Sequence, residues 1–204
     1  MKVLFATTNK AKVKYYATRL KEKGIEVVTL GDLNIYVDVE ENGNSPMDNA
    51  IIKAKEYAKL SGLLTISMDD GLFFNNVPDG VQPGTNVRRV NGKRLDDREM
   101  IDYYISLVSK YGDNGELKGY FLKGVAVTLK DKVESYQRNS PRIFVNKQSK
   151  VIDEGYPLAS IQIIPKFNKF KSELTRQEEC ATIDVEQKEI LEFMLDAIEK
   201  LSRY

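Results

Sequence analysis

Four apolar residues in a row, Val3-Leu4-Phe5-Ala6, break off at the polar turn Thr7-Thr8-Asn9, and that change constrains the fold more than any other feature of the chain. A short run with no polar alternation suits a buried strand of a parallel sheet, which needs helices on its faces. The next segment supplies one. Val13, Tyr16, Ala17 and Leu20 recur at helical spacing, and Gly24 closes the segment. Ile25 to Leu30 then reads as a second strand, so the chain opens on a strand-helix-strand unit. Its polar turn lies at the carboxyl end of the first strand, where ligands commonly bind in α/β sheets.

A third strand is expected over Ile35 to Val39. Ser45-Pro46-Met47-Asp48 follows with an N-cap, a proline at the first helical position and a reciprocating acid three residues on. Met47, Ala50, Ile51, Ala54 and Ala58 form the apolar side of that helix and Gly62 ends it. Leu63 to Met68 reads as a strand running into Asp69-Asp70, with the acids at its carboxyl end. Glycine, proline and asparagine dominate from Asn75 to Gly92, which predicts a long loop or a pair of tight turns. Ile101, Tyr104, Leu107, Val108 and Tyr111 mark a helix ending at Gly112. Tyr120 to Leu129 and Val133 to Arg138 form a hairpin turning near Asp131, and strands are expected around Ile143 to Val145 and Ser160 to Ile164. Asp184 with Gln187 caps a last helix carrying Leu191, Met194, Ile198 and Leu201. The expected architecture is α/β: a mixed twisted sheet with flanking helices, in two lobes around a central cleft, within one domain over residues 1–204.

Composition narrows the chemistry. The chain has no histidine, which removes Ser-His-Asp and Cys-His hydrolase arrangements and every zinc site that needs imidazole. Its one cysteine, Cys180, can form neither an internal disulfide nor a CxxC site. Hydrolytic chemistry must run on carboxylates, lysines, hydroxyls and a metal taken up by oxygen ligands, which points to Mg²⁺ or Mn²⁺. The 31 basic and 30 acidic residues leave a net charge of +1, so nothing suggests a surface for nucleic acid. No segment approaches a membrane-spanning length, and the expectation is a soluble, cytoplasmic protein.

Two groups of residues carry candidate chemistry. Where the chain leaves the first strand and enters the helix at Thr7-Thr8-Asn9, backbone N–H groups and the helix dipole suit a phosphate, with Lys12 adding charge. Read alone, Asn9 is as well explained as a helix cap and Lys12 as part of a solvated face. Lys53 shares a helical face with Asn49, either near a carboxylate pair or simply pairing with Glu56. Arg89 closes the glycine- and proline-rich loop, beside Arg88, and is either solvated or a fork for a phosphate or base edge. Asp69 and Glu41 are the carboxylates best placed to share a metal ion, with Glu40 as a neighbour that can substitute for Glu41. A solvated turn and an acidic loop are the competing readings.

Taken in order, Thr7-Thr8-Asn9 with Lys12, Glu41-x-Gly43-x-Ser45, Asn49-Ala50-x-x-Lys53-Ala54, Asp69-Asp70-Gly71-Leu72 and Pro83-Gly84 ahead of Arg89 resemble the inosine triphosphate pyrophosphatase family. The resemblance implies that Thr7, Thr8, Asn9 and Lys12 cradle a triphosphate, with Asp70 and Gly71 beside it. Glu41 and Asp69 would serve Mg²⁺, Asp69 would also activate water, Lys53 would lie over the phosphates, and Arg89 would help close the site. The implied reaction is Mg²⁺-dependent hydrolysis of a non-standard purine triphosphate, such as inosine, deoxyinosine or xanthosine triphosphate, to the monophosphate and pyrophosphate. A homodimer is implied as well. Against the family's acidic-Asp-Ser/Thr-Gly-Leu run this chain reads Met68-Asp69-Asp70-Gly71-Leu72, so Asp70 stands at the hydroxyl position unless one residue is deleted. Gly155-Tyr156-Pro157-Leu158-Ala159-Ser160 lies where the family has Gly-Phe-Gly-Tyr-Asp-Pro, and the late Ser-His-Arg motif is absent. This altered base-reading half leaves a second reading, a nucleotide-binding sensor or partner subunit that has lost turnover.

Overall fold

A computed structural model describes residues 2–9 and 12–203, apart from the side chains of 180 and 182–186. The chain forms two compact units. The first comprises Met1–Asp70, Lys123–Arg138 and Val185–Tyr204, and the second Gly71–Leu122 and Asn139–Asp184.

In the first unit β1 (Lys2–Phe5) pairs in parallel with both β2 (Glu26–Thr29) and β3 (Leu64–Phe74), as the apolar run at its centre requires. Alternation along these strands sorts their side chains onto two faces. Val3, Phe5, Leu64, Ile66 and Met68 pack with Tyr16, Ala17 and Leu20 of a π-helical segment, Val13–Ala17, that runs into α1 (Thr18–Glu22). Leu4 and Ala6 face the other way, onto Tyr57 of α2 (Pro46–Ser61). α2 starts as its sequence requires: the Ser45 hydroxyl accepts the Asp48 N–H at 3.1 Å, Pro46 is the first helical residue, and Gly62 ends it at φ +69°. Its first turn lies directly on β6 (Glu116–Leu129). A Cβ at Gly124 would stand 2.5 Å from the Met47 nitrogen, so no larger residue fits without moving the helix.

In the second unit α3 (Asp97–Tyr111) is held by a capping box between Asp96 and Glu99. It buries Met100, Ile101, Tyr104, Leu107 and Val108 among Leu72, Phe74, Phe144 and Ile161. The glycine-rich stretch is an ordered excursion. Gln82 returns three hydrogen bonds to Phe74 and Val77, and β4 (Arg89–Val90) turns through Asn91-Gly92 into β5 (Lys93–Arg94). β7 (Lys132–Val145) follows β6 through Lys130-Asp131 and pairs antiparallel with β8 (Gln162–Ile164), which pairs antiparallel with β9 (Lys169–Phe170). The large sheet has seven strands in the order β2-β1-β3-β6-β7-β8-β9, which is the mixed sheet with flanking helices that the sequence predicts.

Four expectations about elements need correction. Ile35 to Val39 forms no strand, because Ile35 and Val39 anchor an irregular loop on the Leu30-Tyr57 patch and the Val37 carbonyl accepts the Tyr57 hydroxyl at 2.9 Å. β3 does not stop at the acids but runs through them to Phe74. Ile143 to Val145 is the end of β7 rather than a separate strand. The last helix, α4 (Arg176–Leu201), begins well before Asp184: Thr175 and Glu178 exchange the capping hydrogen bonds, while the Asp184 side chain lies outside the described residues.

Candidate active site

Asp69 and Asp70 are neighbours in an extended strand, so their side chains leave on opposite faces. Asp70 shares the face of Ile66 and Met68, and Asp69 points towards α2. β1 makes its last pairing with β3 at Phe5 and Ile66, so β3 carries both acids past the end of β1, where the chain turns through Thr7, Thr8 and Asn9.

Three elements meet on the Asp69 face. The Lys53 ammonium of α2 lies 3.2 Å from Asp69 Oδ1 and 3.1 Å from Glu41 Oε2. Lysine and aspartate are 13% and 15% exposed, whereas Glu41, on the loop, is 40% exposed. Glu56 pairs instead with Lys59. Asn49, one turn before Lys53, donates from Nδ2 to Asp69 Oδ2 at 3.1 Å, and its Oδ1 accepts the Gly43 N–H at 2.8 Å. One buried amide thereby ties the Glu41 loop to the Asp69 strand. The loop can come that close only because residue 43 is glycine: a Cβ there would sit 2.7 Å from Asn49 Oδ1. Sequence reasoning leaves Asn49 out of the site, although its position one helical turn before Lys53 is the available signal.

On the Asp70 face the Lys12 ammonium lies 2.8 Å from Asp70 Oδ2. The other carboxylate oxygen is enclosed and has no hydrogen-bond partner among the described residues. Burial pushes the Asp70 carboxyl up, but Lys12, with Lys123 and Lys53 beyond it, outweighs burial and holds the group below its ordinary range. In the adjoining turn the Asn9 side chain accepts the Lys12 N–H and the Thr7 hydroxyl accepts the Asn9 N–H, each at 3.2 Å. The capping reading of Asn9 therefore describes its geometry, and these two amides are engaged locally. Thr8 is exposed.

Gly71 and Arg89 belong to the second unit. Arg89 is exposed on β4, directly across from Arg94 of β5. Its neighbour Arg88 is engaged elsewhere, with Nη1 donating to Asp97 Oδ1 at 2.6 Å and Nη2 to the Gly155 carbonyl at 3.2 Å. The Gly155 N–H completes a ring by donating to Asp97 Oδ2 at 2.7 Å.

The carboxylates that meet beside Lys53, Glu41 and Asp69, are the oxygen donors suited to a divalent ion, and Asp70 lies on the other face of β3. Among the described residues no three acidic or thiol groups gather tightly enough to enclose an ion unaided. Such oxygen donors suit a hard cation, which would complete its coordination with water and ligand oxygens.

The Ham1 family model matches residues 3–143, which takes in every one of these side chains except the Gly155 backbone contact. The chain belongs to the Ham1 family. It is similar to the dITP/XTP pyrophosphatases of Leptospira interrogans, at 28% identity over 93% of this chain and 92% of the relative, and of Bacillus subtilis, at 28% over 98% and 94%. A HAM1 protein from Coxiella burnetii has the same fold, with a TM-score of 0.75 over 89% of this chain and 91% of that one at 22% identity. The resemblance drawn from the motifs of this Ham1 protein is thus borne out at the level of family and fold.

Proposed function

We propose that this Ham1 protein hydrolyses nucleoside triphosphates to the monophosphate and pyrophosphate, with Mg²⁺, and that its substrates are non-standard purine nucleotides such as inosine, deoxyinosine and xanthosine triphosphate. The observation that carries this reading is the meeting of Glu41, Lys53 and Asp69 from a loop, a helix and a strand on one shared ammonium. The names of the relatives, dITP/XTP pyrophosphatases, support the substrate class.

Asp69 accepts the proton of the attacking water as the new oxygen–phosphorus bond forms at the α-phosphorus. The bond from that phosphorus to the bridging oxygen breaks, and pyrophosphate leaves with the electron pair. Asn49 and Lys53 fix the Asp69 carboxylate through its two oxygens, so the base is aimed before substrate arrives. Lys53 and Lys12 place ammonium groups against the phosphates, where charge builds up during transfer. Thr7, Thr8 and Asn9 shape the turn around them. Glu41 and Asp69 would hold the divalent ion, which when bound would supply Lewis-acid neutralisation of phosphoryl charge.

The test is pyrophosphate release from a panel of inosine, xanthosine, deoxyinosine and ordinary triphosphates, each with Mg²⁺ and with chelator. Release that needs Mg²⁺ and favours the non-standard purines is expected. Binding of the same nucleotides with no metal-dependent release would overturn the reading in favour of a sensor.

A further inference from the structure

We infer that Asp70 competes with substrate phosphate for Lys12, so that the phosphate end of the site is held by a built-in carboxylate that a polyphosphate must displace. This rests on the reading of Lys12 as a phosphate ligand.

The two acids of β3 are held in different ways. Both Asp69 oxygens receive hydrogen bonds, from Asn49 and Lys53. Asp70 has one oxygen 2.8 Å from Lys12 and the other enclosed with no partner. An enclosed carboxylate oxygen without a donor is costly, more so than a neutral group in the same position. Lys12 pairs with that carboxylate directly, and Lys123 and Lys53 add positive charge from farther away. That is the field a phosphate group needs, already occupied by a side chain of the protein. The Lys12 side chain is only 16% exposed and that of Asp70 31%, so the pair is partly withdrawn from water.

Binding is affected in two ways. A polyphosphate alone must break the Lys12–Asp70 pair and leave Asp70 facing its own negative charge. A divalent cation held by Glu41 and Asp69 would offset part of that repulsion by its charge. Metal and polyphosphate therefore strengthen each other's binding, and by linkage the factor is the same in both directions. A neutral residue at position 70 would leave Lys12 open and weaken this coupling.

The experiment is calorimetric titration of inorganic tripolyphosphate into the wild type, Asp70→Asn, Lys12→Gln and the double variant, first with chelator and then with Mg²⁺. Circular dichroism checks the fold of each, and Asp70→Ser replaces Asp70→Asn if the latter does not fold. In chelator, Asp70→Asn is expected to bind about tenfold more tightly, the size of one charge-assisted hydrogen bond released. The gain should vanish in the Lys12→Gln background and shrink in Mg²⁺. Unchanged or weaker binding by Asp70→Asn overturns the inference. So does a gain that survives Lys12→Gln, which would make it a general charge effect. If Lys12→Gln weakens binding in neither background, the phosphate role of Lys12 itself falls. If Lys12→Gln weakens binding but Asp70→Asn does not tighten it, only the competition falls.

Discussion

Lys53 in the first unit and Arg88 in the second are both half-withdrawn cations facing carboxylates, yet their surroundings differ in completeness. Arg88, Asp97 and Gly155 close a ring in which both carboxylate oxygens and two guanidinium nitrogens are engaged. The ring ties the loop ahead of Pro157 to the first turn of α3, with both Asp97 oxygens engaged inside it. Lys53 is instead divided between acids from two different elements, and near it Asp70 keeps an enclosed oxygen with no partner. Charge and partial burial are common to both places. What separates them is satisfaction: a fully paired cluster holds the fold, and an incompletely paired one is suited to exchanging partners.

The contrast between the two clusters is greatest at Asp69. Asp69→Asn removes the proton acceptor while keeping the shape, and turnover should fall by about 10²–10⁴-fold, the range for a lost general base, with melting temperature little changed. Lys53→Ala should lower turnover by about 10²–10³-fold as phosphate charge loses its ammonium. Pyrophosphate release with inosine triphosphate, beside thermal melts of the same preparations, reads both. Should either variant keep wild-type turnover, the Lys53 cluster is as structural as the Arg88 ring.

Much of this site is legible in the sequence. The apolar run from Val3 to Ala6 required a covered parallel strand, and the Ser45-Pro46 start placed Asn49 and Lys53 on one helical face. Spacing cannot tell which of two adjacent acids faces that helix. The expectation that β3 ended at the acids hid their divergence, because the run Gly71-Leu72-Phe73-Phe74 that extends the strand follows two charged residues that read as a turn. The Ile35 to Val39 segment misled differently: Val37 is 56% exposed, Ile35 and Val39 pack on the Leu30-Tyr57 patch from a loop, and an apolar segment does not say whether a neighbouring strand is there to receive hydrogen bonds. Long-range pairings such as Arg88 with Gly155, 67 residues apart, leave no local periodicity to read.

Asn49 tests the middle ground, since it donates to Asp69, the proposed base, and also closes a backbone hydrogen bond. Asn49→Ala leaves the Gly43 N–H and Asp69 Oδ2 without their partner, at a cost of about 1–3 kcal/mol in stability. A purely structural residue would lower the melting temperature and leave the kcat of the folded fraction unchanged. As a positioning residue for Asp69, Asn49 should instead lower kcat by about tenfold or more while KM moves little. Steady-state kinetics well below the melting temperature separate the two effects.

The smallest effect belongs to the closed ring, and pH reveals it. The Gly155 N–H and the Arg88 guanidinium hold the Asp97 carboxyl below its ordinary value, against a smaller opposing push from desolvation. A carboxyl whose folded value is depressed binds its proton more readily in the unfolded chain. The ring's stabilisation is therefore complete above the unfolded value, near about pH 4, and is lost as pH falls through the lower folded value. Asp97 and Arg88 are each 30% exposed, so solvent screening limits the contribution to under about 1 kcal/mol. Asp97→Asn should lower the melting temperature slightly at neutral pH, and the difference from wild type should close on acidification. Turnover of the folded enzyme should be unchanged, because no atom of a satisfied ring is released to substrate. A difference that persists unchanged down to about pH 2–3, below the unfolded carboxyl value, would show that Asp97 acts through packing rather than charge. A loss of kcat at neutral pH would move the ring into the working site.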